Sequence, residues 1–198
     1  MVGTKYSPLT GMRGYEIAGI TFFILLFLIG FIVVFMNGCF YFISNNFYDE
    51  FPNEGLMLNK EGKQGELHDR PCFFAFPDKE YPFLLWLIPI SSQIKKYEEI
   101  YSKKVEKYGY CNTIYFCDFI GQKKAFLIQN MFPTTREYIS DTYINRDTLS
   151  EIRIRFSDEK KIVSQANKLM KAHNVGKNVF FTNIDLIKQT LLEKQSKN

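Results

Sequence analysis

The stretch TFFILLFLIGFIVVFMNGCFYFI, residues 21–43, decides how the rest of the chain is read. It lies within 32 consecutive residues, 17–48, that carry no charged side chain. Over 17–36 the run is interrupted only by glycines and Thr21. That is about the twenty residues a helix needs to cross ~30 Å of hydrocarbon. A cleavable signal has a shorter apolar region, about 7–15 residues, closed by small residues at an A-x-A-like site. Here the run closes on Asn37-Gly38-Cys39 and then Phe40-Tyr41-Phe42. A core helix of this length would show a polar stripe, and this run has none. The pattern predicts a retained transmembrane helix over 17–43, with Phe40, Tyr41, Phe42, Phe47 and Tyr48 as an interfacial aromatic belt.

The flanks orient that helix. Lys5 and Arg13 precede it, whereas the fifteen residues after Ile43 hold no Lys or Arg and carry Asp49, Glu50 and Glu54. The positive-inside rule keeps the 1–16 segment in cytosol or matrix and translocates the C-terminal domain. The span has no His for haem ligation, no ionisable relay residue and no G-x-x-x-G, so it anchors or packs.

Outside the span, residues 44–70 read as a polar juxtamembrane linker with Gly55, Gly62 and Gly65. Residues 71–195 read as one α+β soluble domain. PCFFAF (71–76) and YPFLLWLIPI (81–90) are strands edged by proline. Ser91 or Ser92 caps a helix whose stripe Ile94, Tyr97, Tyr101, Val105 and Tyr108 runs to about residue 108. Gly121-Gln122 suits a two-residue II′ turn, pairing Cys117 with Phe126 and Phe116 with Leu127 in a central hairpin covered on both sides. Thr134-Thr135-Arg136-Glu137 fits a capping box for a helix to about Tyr143. SEIRIRF (150–156) alternates as a strand with Ile152, Ile154 and Phe156 inward. A helix follows from Ser157, with Ile162, Ala166, Leu169 and Met170 on one face and Asn174 and Gly176 at its stop. NVFF (178–181) reads as a short strand, and Thr182 opens a last helix through Ile184, Ile187 and Leu191. The fold class is a single transmembrane helix followed by a mixed sheet with helices packed on it.

Charge argues against nucleic acid. The formal net charge is +4, and pairs such as Lys123-Lys124 and Lys160-Lys161 read as solvated surface rather than a phosphate track. The 20 Phe and 12 Tyr accompany 19 Lys against 6 Arg, a bias toward A/T-rich codons rather than an aromatic binding surface.

Chemistry-bearing residues are sparse. Cys39, Cys72, Cys111 and Cys117 form no C-x-x-C and no zinc spacing, and read as buried free thiols. If Cys111 and Cys117 share one strand they lie roughly 20 Å apart, too far for a disulfide. His68, in ELHDRPC beside Cys72, supplies the best catalytic pairing, a thiol with an imidazole. It reads more simply as the end of a polar linker. His173 ends a helix where a cation suits the macrodipole. No nucleophile elbow, P-loop, dinucleotide fingerprint or zincin motif occurs.

The expectation is therefore a non-catalytic accessory subunit of a larger membrane complex, in a respiratory-type mitochondrial inner membrane or, alternatively, a bacterial inner membrane. The absence of any N-x-Ser/Thr sequon favours these over a secretory lumen. Its partners are other membrane-protein subunits and the lipid bilayer, with no nucleic acid, no cofactor, no metal and no catalytic residue. Two alternatives are a membrane-tethered assembly factor or binding module, and an anchored thiol enzyme using Cys72 or Cys111.

Overall fold

The structure, a computed structural model, describes residues 38–61, 67–145 and 147–197. The order is β1 (Phe40–Ile43), α1 (Asn45–Glu50), β2 (Lys60–Glu61), β3 (Leu67–His68), β4 (Cys72–Pro77), β5 (Leu85–Ser91) and α2 (Ile94–Tyr108). Then follow β6 (Tyr115–Phe119), β7 (Gln122–Phe126), β8 (Phe132–Thr134), β9 (Ile139–Thr142), α3 (Phe156–Asn174) and α4 (Ile184–Gln195). Short 3₁₀ turns at Ile128–Asn130 and Arg136–Tyr138 flank β8.

The main sheet runs β6-β7-β5-β4-β1-β9, with β8 also on β5. Every pairing is antiparallel. The expected mixed sheet is corrected to an antiparallel one, and β2–β3 stands apart as a two-stranded ribbon. β5 is buried along its whole length. One edge of it pairs with β4, and the other is divided between β8 at Leu85–Leu87 and β7 at Ile90–Ser91. Pro89, which has no N–H to donate, falls where β5 passes from one partner to the other.

Both faces of the sheet are covered. On one, Phe40, Phe73, Trp86, Ile88 and Phe126 pack with Ile162, Ala166 and Leu169 of α3 and Ile184 of α4. On the other, α2 lays Tyr97 and its flanking apolar side chains on Ile114, Ala125 and Leu127. A strand buried on both faces needs no polar alternation, which is why LWLIPI reads as one apolar run.

The largest correction concerns residues 17–43. Their last four, Phe40–Ile43, are not the end of a helix but strand β1, hydrogen-bonded between β4 and β9. Phe40 and Phe47 are completely buried. The supposed aromatic belt is core: Phe47 lies 5.4 Å from Phe132 and 5.2 Å from Tyr138, ring centre to ring centre. Among the described residues no helix is long and apolar enough to cross a membrane. The rest of that expectation, residues 17–37, lies outside the described residues.

Smaller corrections have local causes. The β6–β7 hairpin turns at Ile120-Gly121, with φ of 54° and 68°, not at Gly121-Gln122. Cys117 therefore pairs with Lys124 and Phe116 with Ala125. The hairpin lies at the sheet edge rather than its centre. After Thr135 the chain makes one 3₁₀ turn and enters β9, so the expected helix to Tyr143 is absent; Thr135 Oγ1 donates to Glu137 Oε1 at 3.0 Å. The expected strand at 150–156 is a single bridge, Glu151 to Ile144, and Phe156 opens α3 with its ring exposed. Residues 178–181 form no strand, although Phe181 N–H reaches Gln129 O at 2.8 Å.

Candidate functional site

At the C-terminal end of β5 three segments converge on a cleft of about 200 Å3. Strand register builds it. Ile90 faces Phe126 and Ser91 faces Ala125, so the next step along the ladder sets Ser92 across from Lys124. Lys124 Nζ donates to Ser92 Oγ at 2.9 Å and to Gln122 Oε1 at 2.9 Å. Neither serine caps α2, whose N-cap is Gln93 without a side-chain bond; Ser91 Oγ instead accepts from Gln93 N–H at 3.2 Å just ahead of the helix. That leaves the Ser92 hydroxyl exposed beside the ammonium, just ahead of the first turn of the fifteen-residue helix α2. The unsatisfied N–H groups of such a turn, with the helix dipole, favour an anion there.

The second cation comes from the chain entering β4. Arg70 is buried, its Nη1 donating to Ile90 O at 2.8 Å and its Nε to Leu58 O at 3.4 Å. Its own N–H donates to Asn59 Oδ1 at 2.9 Å, and Asn59 Nδ2 donates to Asp69 Oδ1 at 2.9 Å. Asn59 thus fixes both Arg70 and the neighbouring carboxylate. Among the described residues no carboxylate is paired with the Arg70 side chain, whose acceptors are the backbone carbonyls of Leu58 and Ile90. Beneath it, burial pushes the Tyr97 phenol above its ordinary value, against the pull of Arg70 and of a hydrogen bond to Ser91.

Tyr143 closes the cleft opposite Ser92. Its ring stacks on Phe119 at 5.7 Å and meets Phe42 edge-on at 5.4 Å. Its N–H donates to Phe40 O at 2.8 Å. The result is two cations, a serine and a tyrosine side chain and one carboxylate around a cleft with room for a phosphate group and part of what it is attached to. Such a set can bind a phosphodiester and offset charge that develops on it.

The residues singled out from sequence fare differently. Cys72 is fully buried, and burial pushes its thiol up to about 12 despite nearby Arg70. A thiol so raised is not a nucleophile at neutral pH. His68 pairs with Lys60 in the β2–β3 ribbon. All four cysteines are buried thiols outside any disulfide, and Cys39 Sγ donates to Glu151 Oε2 at 3.0 Å. Cys111 lies ahead of β6, not within it, with its sulfur 3.3 Å from Thr113 Oγ1. His173 closes α3, its Nε2 3.0 Å from Asp185 Oδ1. The stretch ELHDRPC does contribute to the cleft, through Asp69, Arg70 and Pro71. Ser92, Lys124 and Tyr143 were passed over. The serine read as a cap, the lysine as solvated surface and the tyrosine as a helix end. Only the strand register, invisible before pairing is known, joins them.

These features define a class, an antiparallel α+β domain with a cationic, hydroxyl-bearing cleft at the end of its central strand. Two solved structures share the fold. One is AbiQ, a lactococcal anti-phage endoribonuclease belonging to the type-III toxin-antitoxin system, at 12% identity over 79% of this chain and 98% of that one, with a TM-score of 0.57. The other comes from work on a processed non-coding RNA that regulates a bacterial antiviral system. It shows 11% identity over 76% of this chain and 95% of that one, with a TM-score of 0.55. At such identities the likeness is one of fold. No family model and no curated protein matches the sequence.

The fold likeness, with β1 inside the sheet, overturns the accessory-subunit expectation. A membrane subunit in a mitochondrial or bacterial inner membrane, with other subunits and the bilayer as partners, rested on the 17–43 span, and part of that span is sheet core. The tethered assembly factor and the anchored thiol enzyme lose the same support, the latter also through Cys72. The expectations of no enzyme and no nucleic-acid partner rested on missing motifs and a modest net charge. The fold is instead one found in an endoribonuclease, and clefts of this kind carry no linear motif.

Proposed function

We propose that the chain is an endoribonuclease that cleaves RNA in the cleft formed by Asp69, Arg70, Ser92, Lys124 and Tyr143. The observation that carries this reading is Lys124 held on Ser92 at 2.9 Å, beside buried Arg70, in a fold also found in an RNA-cutting enzyme. Arg70 and Lys124 neutralise the non-bridging oxygens of the scissile phosphate, and Ser92 donates a further hydrogen bond to them. Asp69, held by Asn59, accepts the proton of the ribose 2′-hydroxyl as its oxygen bonds to phosphorus. Tyr143 returns a proton to the departing 5′-oxygen as the P–O5′ bond breaks. The products are a 2′,3′-cyclic phosphate and a 5′-hydroxyl. Single-stranded RNA is the substrate class, because a duplex cannot bring its backbone into so narrow a cleft.

The test is cleavage of an end-labelled single-stranded RNA by the full chain, with mass analysis of both new ends. Lys124→Ala and Ser92→Ala are expected to lose on the order of 10²-fold in rate, the scale of removing one oxyanion donor. Both side chains are at least partly exposed, so the melting temperature should hold. Cleavage undiminished in Lys124→Ala, or no cleavage by the parent chain on any single-stranded RNA, overturns the reading.

A further inference from the structure

A second cavity, about 720 Å3, opens at the other end of α2 from the cleft, about 20 Å along the helix axis. Its inner cation is Lys104, whose Nζ donates to Thr113 Oγ1 at 2.8 Å and to Gln129 Oε1 at 2.7 Å. Both acceptors are neutral. Lys168 from α3 and Lys177 from the turn after it add two exposed ammonium groups to the lining. Among the described residues no carboxylate lines this cavity or pairs with any of the three lysines. The nearby Asp185 is taken up by His173 at 3.0 Å. Burial lowers the pKa of Lys104 from the ordinary lysine value.

The walls are aromatic and open to solvent. Phe181 is 65% exposed and Tyr110 64% exposed, although neither position needs an exposed apolar ring for the fold. The Phe181 backbone is nevertheless held in place. Its N–H donates to Gln129 O at 2.8 Å, and Gly55 passes so close that an added Cβ there would lie 2.2 Å from Phe181 O. The Lys104 ammonium lies 5.9 Å from the centre of the Phe181 ring. An exposed ring on a held backbone, beside three lysines with no carboxylate partner among the described residues, matches a ligand with a flat apolar face and an anionic group.

We propose that this cavity binds a nucleotide, with its phosphate on Lys104, Lys168 and Lys177 and its base stacked on Phe181. The chemistry is the same for a free mononucleotide and for one nucleotide of an RNA strand. The site is separate from the cleavage cleft and stands whether or not that cleft cuts RNA.

The test is binding to the full chain of adenosine monophosphate, inorganic phosphate and a fluorescently labelled nine-nucleotide RNA, by calorimetry and anisotropy. The Lys168→Ala/Lys177→Ala variant is expected to weaken nucleotide binding by about tenfold or more, and to flatten the salt dependence of RNA binding by about two charges. Phe181→Ala should weaken the nucleotide but not inorganic phosphate. In a Lys124→Ala background, which removes phosphate binding at the other cleft, the loss caused by Lys168→Ala/Lys177→Ala and by Phe181→Ala should persist, so the two readings fail separately. Saturable binding of the mononucleotide identifies a free-nucleotide site. Binding of the RNA alone, lost with the lysine pair and with Phe181→Ala, identifies a strand subsite. Phosphate binding equal to that of the nucleotide, or affinities untouched by both variants, overturns the proposal.

Discussion

Cys72 and Arg70 stand two residues apart and meet opposite fates. The thiol is sealed in the core while the guanidinium, nearly as buried, lines an open cleft. Burial pushes the thiols of Cys39, Cys72 and Cys117 up to about 12, with the Glu151 hydrogen bond adding to the effect at Cys39. These three thiols should be inert to an aromatic disulfide reagent in the native protein at pH 8 and react promptly in 6 M guanidinium. A stoichiometric thiol count before denaturation would show the burial to be wrong. At this scale the sequence displays every residue type the cleft needs without showing which of them meet. Nothing local distinguishes Lys124 from Lys123, which pairs with Glu98 at the surface. One step along a strand separates the two roles, because successive side chains point to opposite faces.

Helices were more legible than strands. α2, α3 and α4 lie where the 3.6-residue spacing of apolar side chains places them, because a helix carries its own hydrogen bonds and shows one stripe to the core. Residues 150–156 alternate like a strand but find only one bridging partner, and a strand without a neighbour is no strand. The β6–β7 turn was misplaced by one residue for a related reason. Ile120 adopts φ of 54°, a conformation costly for a β-branched side chain, because the ladder Asp118–Lys123 and Phe119–Gln122 fixes the turn there. Ile120 is 55% exposed and contributes little packing in return. Ile120→Asn, which creates the Asn-Gly pair preferred in a type I′ turn, should raise stability by about 1 kcal/mol. Equilibrium urea unfolding reads this directly, and an unchanged midpoint would mean that the strain is relieved elsewhere.

For the whole molecule, the decisive element is β1, and its apolar composition conceals it. FYFI in the middle of a sheet and FYFI at a bilayer surface are the same letters; only pairing partners thirty and a hundred residues away separate them. Removing residues 1–48 would take β1, Phe40 and Phe47 out of the core and leave β4 and β9 with bare edges. A chain starting at Asp49 should therefore lose its cooperative thermal transition, measured by circular dichroism, since each buried aromatic lost costs about 3–5 kcal/mol. A melt matching that of the full chain would mean that residues 71–195 fold alone. The same wide spacing governs when the cleft first exists. Arg70 and Ser92 leave the ribosome well before Lys124, and Tyr143 comes later still. A half-translated chain thus holds Arg70 and Ser92 but neither Lys124 nor Tyr143, and the cleft closes only when the second half of the sheet has been made.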